Sequence, residues 1–304
     1  MIKSISVTNH LNETIKMELV APEKSGFAVL NIDGLGPPKA NINSTSMSTG
    51  DGAIYNSSRL EVRNIVIQLS FLYSPTIEFV RQKSYKYFPI KKRIKLTIET
   101  DNRLCEIYGY VESNEPTIFS KDEGTQISII CPDPYFYSSG ANGTTITVFA
   151  GVVSNFEFPF GNDSLTEPLM ELGVIQNSNT QTVYYQGDAD IGMKIIMKAL
   201  GEVSNLVLYN LGTWESLSIS DAKLIELTGS LIVAGDMITL TTIKGSKSII
   251  LRRNGVDINI LNTIEKDADW FQLSKGDNVF AYTADYGLTN LQFSIENRKI
   301  YEGV

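Results

Sequence analysis

Apolar and polar residues alternate along most of this chain with a period of two, which is the pattern of strands that bury one face. In the first half, this pattern predicts one such strand at residues 65–73, which ends at Tyr73. Its inner face carries Ile65, Ile67, Leu69, Phe71 and Tyr73. A second strand places Ile94, Leu96 and Ile98 on its inner face, and its other positions are mostly charged.

Short β-rich runs also fill the second half. They lie at residues 205–211, 236–243, 248–253, 278–284 and 291–295, and glycines separate them. Short strands with turn signals at intervals of about ten residues are typical of a β-sandwich or barrel.

One segment between the two strands of the first half has the pattern of a helix. Ser74 can cap it, Pro75 suits the first helical position, and Glu78 lies near the positive end of the helix dipole. The helix is predicted from Thr76 to about Phe88. Its apolar side consists of Ile77, Val80, Ser84 and Tyr87, with Phe79 and Phe88 beside them. We expect the side with Ile77, Val80 and Tyr87 to pack on the sheet. The predicted fold class is therefore mainly β, with one helix making the first half α+β.

The distribution of charge divides the chain in two. At 304 residues, about two domains are expected. Residues 1–140 carry 15 basic and 15 acidic side chains, whereas residues 141–304 carry 11 and 19, so the net charge of −8 lies entirely in the second half. A segment rich in proline, serine and glycine at 131–145 separates the halves. We therefore predict domains at 1–140 and 141–304.

The composition excludes several kinds of chemistry. The chain has one histidine and two cysteines, which rules out sites with several histidines and disulfide-rich scaffolds. His10 has no evident catalytic partner and is interpreted as a turn residue. No run approaches the about 18 apolar residues of a membrane span, and the first residues lack the features of a signal peptide. We expect Cys105 and Cys131 to be core thiols in a reducing cytosol, although a bridge between them stays open.

A dense basic run lies between residues 81 and 95. It contains Arg81, Lys83, Lys86, Lys91, Lys92, Arg93 and Lys95. The run could bind phosphate or an acidic partner, or it could be solvated or protein-facing surface. The alternation of the strand favours the surface interpretation for Lys91, Arg93 and Lys95, because its opposite face is the core. In addition, no aromatic residue alternates with these basic residues, as a base-stacking platform requires. No specific nucleic-acid binding is predicted.

Other candidate residues are weighed in the same way. Aspartates that could bind calcium are interpreted as turn residues, namely Asp188, Asp190, Asp236, Asp267 and Asp269. Aromatic residues that could form a sugar-stacking platform are interpreted as core, namely Trp214 and Trp270 with Tyr184 and Tyr185. The GLGPPKA segment at 34–40 lacks the third glycine of a dinucleotide site and is predicted to be a loop. No catalytic, metal-binding or cofactor-binding residue is assigned.

Motifs in a fixed order along both halves are similar to those of one known family. The first half has a short strand and turn, a Gly-Leu-Gly-Pro-Pro loop, and a polar loop from Ile42 to Tyr55. An arginine with alternate apolar residues then enters a strand within Arg59 to Phe71, and the predicted helix and a strand that ends in CPDPYFY follow. The second half has Gly187-Asp188 before the segment Ile191 through Lys198, followed by Asn210, Glu215-Ser216-Leu217, Gly235-Asp236-Met237-Ile238, Lys247-Ser248-Ile249, Arg252, Gly255, Asn259-Ile260-Leu261 and Ser274-Lys275-Gly276-Asp277-Asn278. This order resembles the distal tail protein family of long-tailed, siphovirus-type bacteriophages.

The resemblance implies a virion structural protein of the tail tip or baseplate, assembled in the bacterial host cytoplasm. It implies a homo-hexameric ring built by the N-terminal domain, with a galectin-like β-sandwich as the C-terminal domain. The implied partners are the tail tube protein, the tail fibre or tail-associated hub protein, and receptor-binding proteins for host attachment. The family implies no enzyme activity, cofactor or membrane insertion. The alternative is a carbohydrate-binding adhesion module that recognises host cell-wall glycans.

Because polar loops of this length are usually functional or disordered, we expect residues 42–55 to order against a neighbouring subunit or the tail tube.

Overall fold

A computed structural model of the chain describes residues 1–120, 122–140, 143–153, 174–177 and 179–304. These residues form two compact units. The first comprises Met1–Gly143 together with Ile300–Val304, and the second comprises Thr144–Lys299. Residues 141 and 142, at the predicted junction, lie outside the described residues.

The secondary structure is dominated by strands. The first ten are β1 Ile2–Thr8, β2 Thr14–Glu18, β3 Phe27–Asp33, β4 Ala40–Ser46, β5 Ala53–Leu60, β6 Arg63–Phe71, β7 Arg93–Thr100, β8 Leu104–Pro116, β9 Gly124–Cys131 and β10 Phe136–Ser138. The others are β11 Thr144–Val148, β12 Ala150–Val153, β13 Val174–Asn177, β14 Thr180–Tyr185, β15 Ile191–Gly192, β16 Lys194–Ala199, β17 Val207–Asn210, β18 Glu215–Ser218, β19 Met237–Thr241, β20 Ser248–Arg253, β21 Val256–Asn259, β22 Gln272–Leu273, β23 Gly276–Thr283, β24 Leu291–Arg298 and β25 Ile300–Tyr301. The helices are α1 Ile77–Tyr87 and α2 Asp221–Thr228, with short 3₁₀ turns at Pro22–Lys24, Leu261–Thr263 and Leu288–Asn290. The predicted mainly β class is confirmed.

The first unit is built on one antiparallel sheet in the order β2-β1-β7-β8-β9-β6-β3, which β10 joins through β8. The predicted inner faces of β6 and β7 are confirmed, since their alternate apolar residues are almost fully buried. The strand ends at Phe71, however, and Tyr73 is exposed. The amide of Leu72 donates to the carbonyl of Gly26, the next residue opposite it on the β3 side, so the ladder reaches one residue past Phe71 and Tyr73 lies beyond its end.

Helix α1 lies where the sequence predicts it, but its cap differs. Thr76, rather than Ser74, is the N-cap, and its hydroxyl accepts a hydrogen bond from the amide of Phe79. Pro75 therefore precedes the helix instead of occupying its first turn. The apolar side packs on the core as predicted, with Val80 and Phe88 each 1% exposed. Phe79, which was predicted beside that face, is instead 53% exposed, because its position on the helix turns it away from the sheet.

The predicted polar loop from Ile42 to Tyr55 is instead mostly a β-hairpin. Strands β4 and β5 pair with each other in antiparallel fashion, with an irregularity between Asn43 and Ser44. Every residue of β4 is exposed. The sequence pattern predicted no strands because neither strand has a buried face, and burial is what produces the alternation of apolar and polar residues.

The second unit is a β-sandwich, as predicted. A six-stranded sheet has the order β11-β24-β16-β19-β20-β21, and a four-stranded sheet has the order β14-β23-β17-β18. The sheets meet in an aromatic core, where the rings of Tyr282 and Phe293 stack with centroids 5.2 Å apart. Phe149 packs edge-on against Phe293 at 4.5 Å.

Two features of the second half depart from the sequence prediction. Helix α2, which was not predicted, buries only Leu224 and ends at Gly229 in the left-handed conformation. The last five residues, which were assigned to the second domain, lie with the first unit, because β25 pairs with β10. Among the described residues, no helix has the length and apolar character that a bilayer crossing requires.

Candidate assembly surfaces

The hairpin of β4 and β5, called the arm below, is the most exposed regular element of the first unit. Neither of its strands pairs with a third strand among the described residues, so each leaves one edge open. Open edges present amide and carbonyl groups that another chain can complete. The arm also exposes apolar side chains, namely Ile42, Met47, Ile54 and Tyr55. A two-stranded hairpin is marginally stable alone in water, so this element gains most from a partner surface.

The base of the arm is fastened by one buried arginine. Arg63 is 3% exposed, and its guanidinium donates to the carbonyls of Pro134 (2.7 Å) and Glu302 (2.6 Å). It also donates to the carbonyls of Gly34 and Gly36. The five donors of a planar guanidinium suit such divergent acceptors. Arg63 thus joins the Gly-Leu-Gly-Pro-Pro loop, the segment before β10 and the C-terminal segment.

The electrostatics of Arg63 are unusual for a buried charge. Burial lowers the pKa of its guanidinium from the ordinary value, but arginine stays protonated in proteins. Its hydrogen-bond acceptors are backbone carbonyls rather than carboxylates, and the ring of Phe136 lies 4.5 Å from its carbon Cζ. The charge is therefore stabilised by dipoles and an aromatic face.

The glycine at the start of the loop is required by close packing. Gly34 has φ +88°, and a Cβ atom there would lie 2.1 Å from the carbonyl oxygen of Asn64. The Gly-Leu-Gly-Pro-Pro segment is therefore a structural loop, as predicted. The next motif, an arginine that leads into an apolar strand, was predicted within Arg59 to Phe71, a segment that contains two arginines. The structure selects Arg63, and Arg59 lies exposed on the arm.

The basic run is largely engaged within the first unit. Lys83 donates to the carbonyl of Ser25 at 2.8 Å, and burial lowers the pKa of its ammonium. Other members pair with carboxylates, namely Arg81 with Glu123 (3.7 Å), Lys86 with Glu13 (2.7 Å) and Lys95 with Glu106 (3.8 Å). The guanidinium of Arg93 lies over the ring of Tyr108. These contacts favour the surface interpretation over a phosphate-binding stripe.

The aspartates do not come together as a cation site. Asp236 is 1% exposed and pairs with Arg253 through both of its carboxylate oxygens. Asp269 accepts a hydrogen bond from the amide of Ser216 at 3.2 Å. Within the described part of the chain, no group of three or more histidine, cysteine or acidic residues is placed to hold a metal ion. The remaining candidates occupy turns at the surface.

The four aromatic candidates have different environments. Trp214 was expected in the core, but it is 87% exposed in the turn between β17 and β18. Trp270 is half-buried beneath the ammonium of Lys247. On β14, Tyr184 is exposed whereas Tyr185 is buried, because successive residues of a strand face opposite sides.

The remaining single residues lie as expected. His10 is exposed in the turn between β1 and β2. Cys105 and Cys131 are buried free thiols. Burial raises the pKa of Cys131 to about 12 and also raises that of Cys105.

Comparison with known proteins identifies the fold. No protein-family model matches the sequence, and no curated protein matches it. The crystal structure of the Dit protein of phage SPP1, described as a paradigm of the hub adsorption apparatus in phages that infect Gram-positive bacteria, matches 98% of this chain and 99% of its own with a TM-score of 0.66 at 11% identity. Two structures of the phage P2 baseplate, with Ca and Sr, match at TM-scores of 0.47 and identities of 9% and 11%. They cover 98% and 97% of this chain and 99% and 98% of theirs. As the motifs predicted, the chain has the fold of a distal tail hub protein over almost its whole length.

Proposed function

We propose that this protein is a structural component of the tail tip of a long-tailed phage, where it forms a hexameric ring between the tail tube and the baseplate or tail fibre. The observation that carries the proposal is the agreement with the SPP1 Dit fold across both units. An unrelated β protein would be expected to share one sandwich rather than the whole two-unit chain. The proposed role is non-catalytic and requires no cofactor.

The first unit is the proposed ring-forming part. Residues 1–140 have no net charge, so copies packed side by side would not repel one another strongly. The arm offers open strand edges and exposed apolar side chains to a neighbouring copy or to the tail tube protein. Arg63 holds the loop that leads into the arm, which gives the arm a fixed origin.

The second unit is the proposed outward-facing module. Its acidic character favours solvent exposure over close packing against identical copies. In this position the β-sandwich would contact the tail fibre or hub protein and anchor receptor-binding components. Attachment to a host would then follow from what the ring carries.

The test is to measure the oligomeric state of the purified protein by native mass spectrometry and negative-stain imaging, first alone and then with the tail tube protein. Replacing three exposed apolar residues of the arm by aspartate (Ile42→Asp, Ile54→Asp and Tyr55→Asp) should convert hexamers to monomers. A matched control replaces three exposed apolar residues of the second unit (Tyr184→Asp, Leu211→Asp and Val256→Asp) and should leave the hexamer intact. A wild-type chain that stays monomeric under both conditions would refute the ring.

A further inference from the structure

A cavity of the first unit lies where the turn between β1 and β2 meets the beginning of β7. Its volume is about 330 Å³. Arg93 and Lys95 of the basic run line it together with His10 of the turn, and none of the described residues that line it is acidic. The cavity therefore has a positive character, which the roles given above to the arm and to the second unit do not use.

The register of the sheet holds the two basic side chains of the run on one face. Thr8 of β1 pairs with Lys95 of β7, and Lys95 pairs with Tyr108 of β8. Arg93 lies two positions before Lys95, so both side chains project from the same face of the strand. Ile94 between them faces the core and is 1% exposed. Both positive groups are thus fixed on the solvent side of the sheet.

Arg93 is oriented by an aromatic ring rather than by a carboxylate. The carbon Cζ of its guanidinium lies 4.3 Å from the centroid of the Tyr108 ring. Arg81, Lys86 and Lys95 each pair with a glutamate, whereas no carboxylate of the described residues lies within ion-pair distance of Arg93. The stacked guanidinium therefore keeps its N–H groups available for a planar acceptor from outside the chain.

The carboxylates nearest to the cavity are already engaged. Glu106 is buried, lies 3.8 Å from the ammonium of Lys95, and accepts a hydrogen bond from the hydroxyl of Ser139 at 2.8 Å. Glu13 pairs with Lys86 at 2.7 Å. The charge of Lys95 is thus partly balanced and that of Arg93 is not. An anionic group in the cavity would balance the remainder.

The turn beside the cavity favours a carboxylate over a phosphate group. Phosphate sites are commonly built from several free backbone amides. Here the amides of Leu11 and Glu13 donate to Oδ1 of Asn9 at 2.9 and 3.0 Å, and the amide of Asn12 donates to the carbonyl of Asn9. These amides are used within the turn. A guanidinium, in contrast, binds a carboxylate through two parallel hydrogen bonds without help from the backbone.

We propose that this cavity binds an aspartate or glutamate side chain in an acidic segment of another tail protein. Arg93 holds the carboxylate through two hydrogen bonds, and Lys95 adds a second positive charge. Because the acidic half of this chain is proposed to face outward, the segment comes from a different protein rather than from a second copy. The inference rests on the proposed tail-tip role, which supplies that neighbour, and it adds a docking surface separate from the arm.

The test measures the binding of two dye-labelled peptides to the full chain by fluorescence anisotropy. The acidic probe is Gly-Asp-Glu-Asp-Gly amide, and its neutral counterpart is Gly-Asn-Gln-Asn-Gly amide. We expect saturable binding of the acidic peptide, with a Kd of about 1 mM or lower that rises with salt, and no binding of the neutral one. Inorganic phosphate is the competitor. If it displaces the probe at a lower concentration than the unlabelled acidic peptide does, the site is a phosphate site and the proposal is wrong.

A pair of variants separates the cavity from the general charge of the surface. Arg93→Gln should weaken binding of the acidic peptide at least about fivefold, and Arg93→Lys should restore only part of it, because an ammonium lacks the planar fork. The matched control is Lys92→Gln, which removes the same charge from the adjacent exposed residue outside the cavity. It should change the Kd by less than about twofold, since exposed charges are screened.

A second pair of variants tests the cavity from the side of the turn. His10→Glu places a carboxylate in the cavity and should abolish peptide binding, whereas Leu11→Glu, at the next exposed residue, should retain it. Because both residues are exposed, neither variant should lower the thermal unfolding midpoint, so this pair decides the question even if Arg93→Gln is unstable.

Four results would each overturn the proposal. They are no saturable binding of the acidic peptide, equal binding of the neutral peptide, equal loss of binding in Lys92→Gln and Arg93→Gln, and loss of the hexamer in His10→Glu, which would identify the occupant as a neighbouring copy. An intact wild-type hexamer that does not bind the peptide would leave the proposed ring standing. A monomeric wild-type chain that binds it would refute the ring alone.

Discussion

Replacing Arg63 by alanine should destabilise the first unit more than replacing an exposed arginine or lysine by alanine. The side chain makes hydrogen bonds to four backbone carbonyls and lies against the ring of Phe136. Four hydrogen bonds from a charged donor, at about 1.5 kcal/mol each, give a gross stabilisation of about 6 kcal/mol. Removing the charge also relieves the desolvation penalty of a buried guanidinium, which offsets part of this sum. We therefore expect Arg63→Ala to lower the free energy of unfolding by about 3 kcal/mol.

The assay is urea unfolding followed by circular dichroism, with hydrogen exchange to locate the loss. Protection should fall at the Gly-Leu-Gly-Pro-Pro loop and at the C-terminal segment, which Arg63 joins. Arg63→Lys keeps the charge, but a compact ammonium cannot reach all four acceptors, so about half the loss should remain. The matched control is Arg59→Ala, an exposed arginine on the arm, which should change stability by less than about 0.5 kcal/mol. Equal unfolding curves for Arg63→Ala and Arg59→Ala would refute the reasoning.

Three further predictions concern the first unit. Val80→Asp, which buries a charge on α1, should lower the free energy of unfolding by about 4 kcal/mol in the same assay, while Phe79→Asp on the exposed side should change it little; equal effects would contradict the packing of α1. Cys131, whose pKa is raised to about 12, and Cys105 should both resist alkylation at pH 8 in the native state and react fully in urea; a native thiol that reacts quickly would contradict their burial. Deleting Ile300–Val304 should lower the unfolding midpoint and the exchange protection of the first unit, whereas an unchanged midpoint would show that the segment is dispensable.

The buried faces of the strands could be predicted from the sequence because they are recorded locally. Ile65, Ile67 and Leu69 face the core, and the residues between and beside them face away from it and are polar except Val66. The same holds for β20 and β24 in the second unit, where the predicted runs coincide with strands. Helix α1 was also predicted, since Val80 and Ser84 repeat at helical spacing on its buried side. Where burial is periodic, the pattern of residue types follows it.

The exposed elements could not be predicted in this way. In the arm, β4 pairs with β5 without burying either strand, so the sequence contains serine, threonine and asparagine where an alternating apolar set would be expected. Trp214 shows the opposite error. A tryptophan is usually buried, and nothing in the neighbouring residues records that its turn is held open to solvent. Exposed elements leave no periodic record of burial, so a pattern that follows burial does not find them.

The C-terminal segment shows a third kind of limit. The shift in charge near residue 140 marks one passage of the chain between the units, and Gly143 ends the first part of the first unit close to that point. The chain returns to the first unit at Ile300, but no shift in charge or composition indicates this, because the returning segment Ile300–Val304 has only five residues. Their place depends on β10, on Leu35, whose carbonyl accepts from the amide of Val304, and on Arg63. These partners are more than 150 residues away in sequence, and in all three contacts the tail contributes backbone groups, namely amides and carbonyls. Since almost every residue type supplies the same backbone groups, these contacts leave no mark in the composition of the tail. Its side chains also make contacts, with Ile300 buried and the ring of Tyr301 under the guanidinium of Arg103, but two residues are too few to form a pattern.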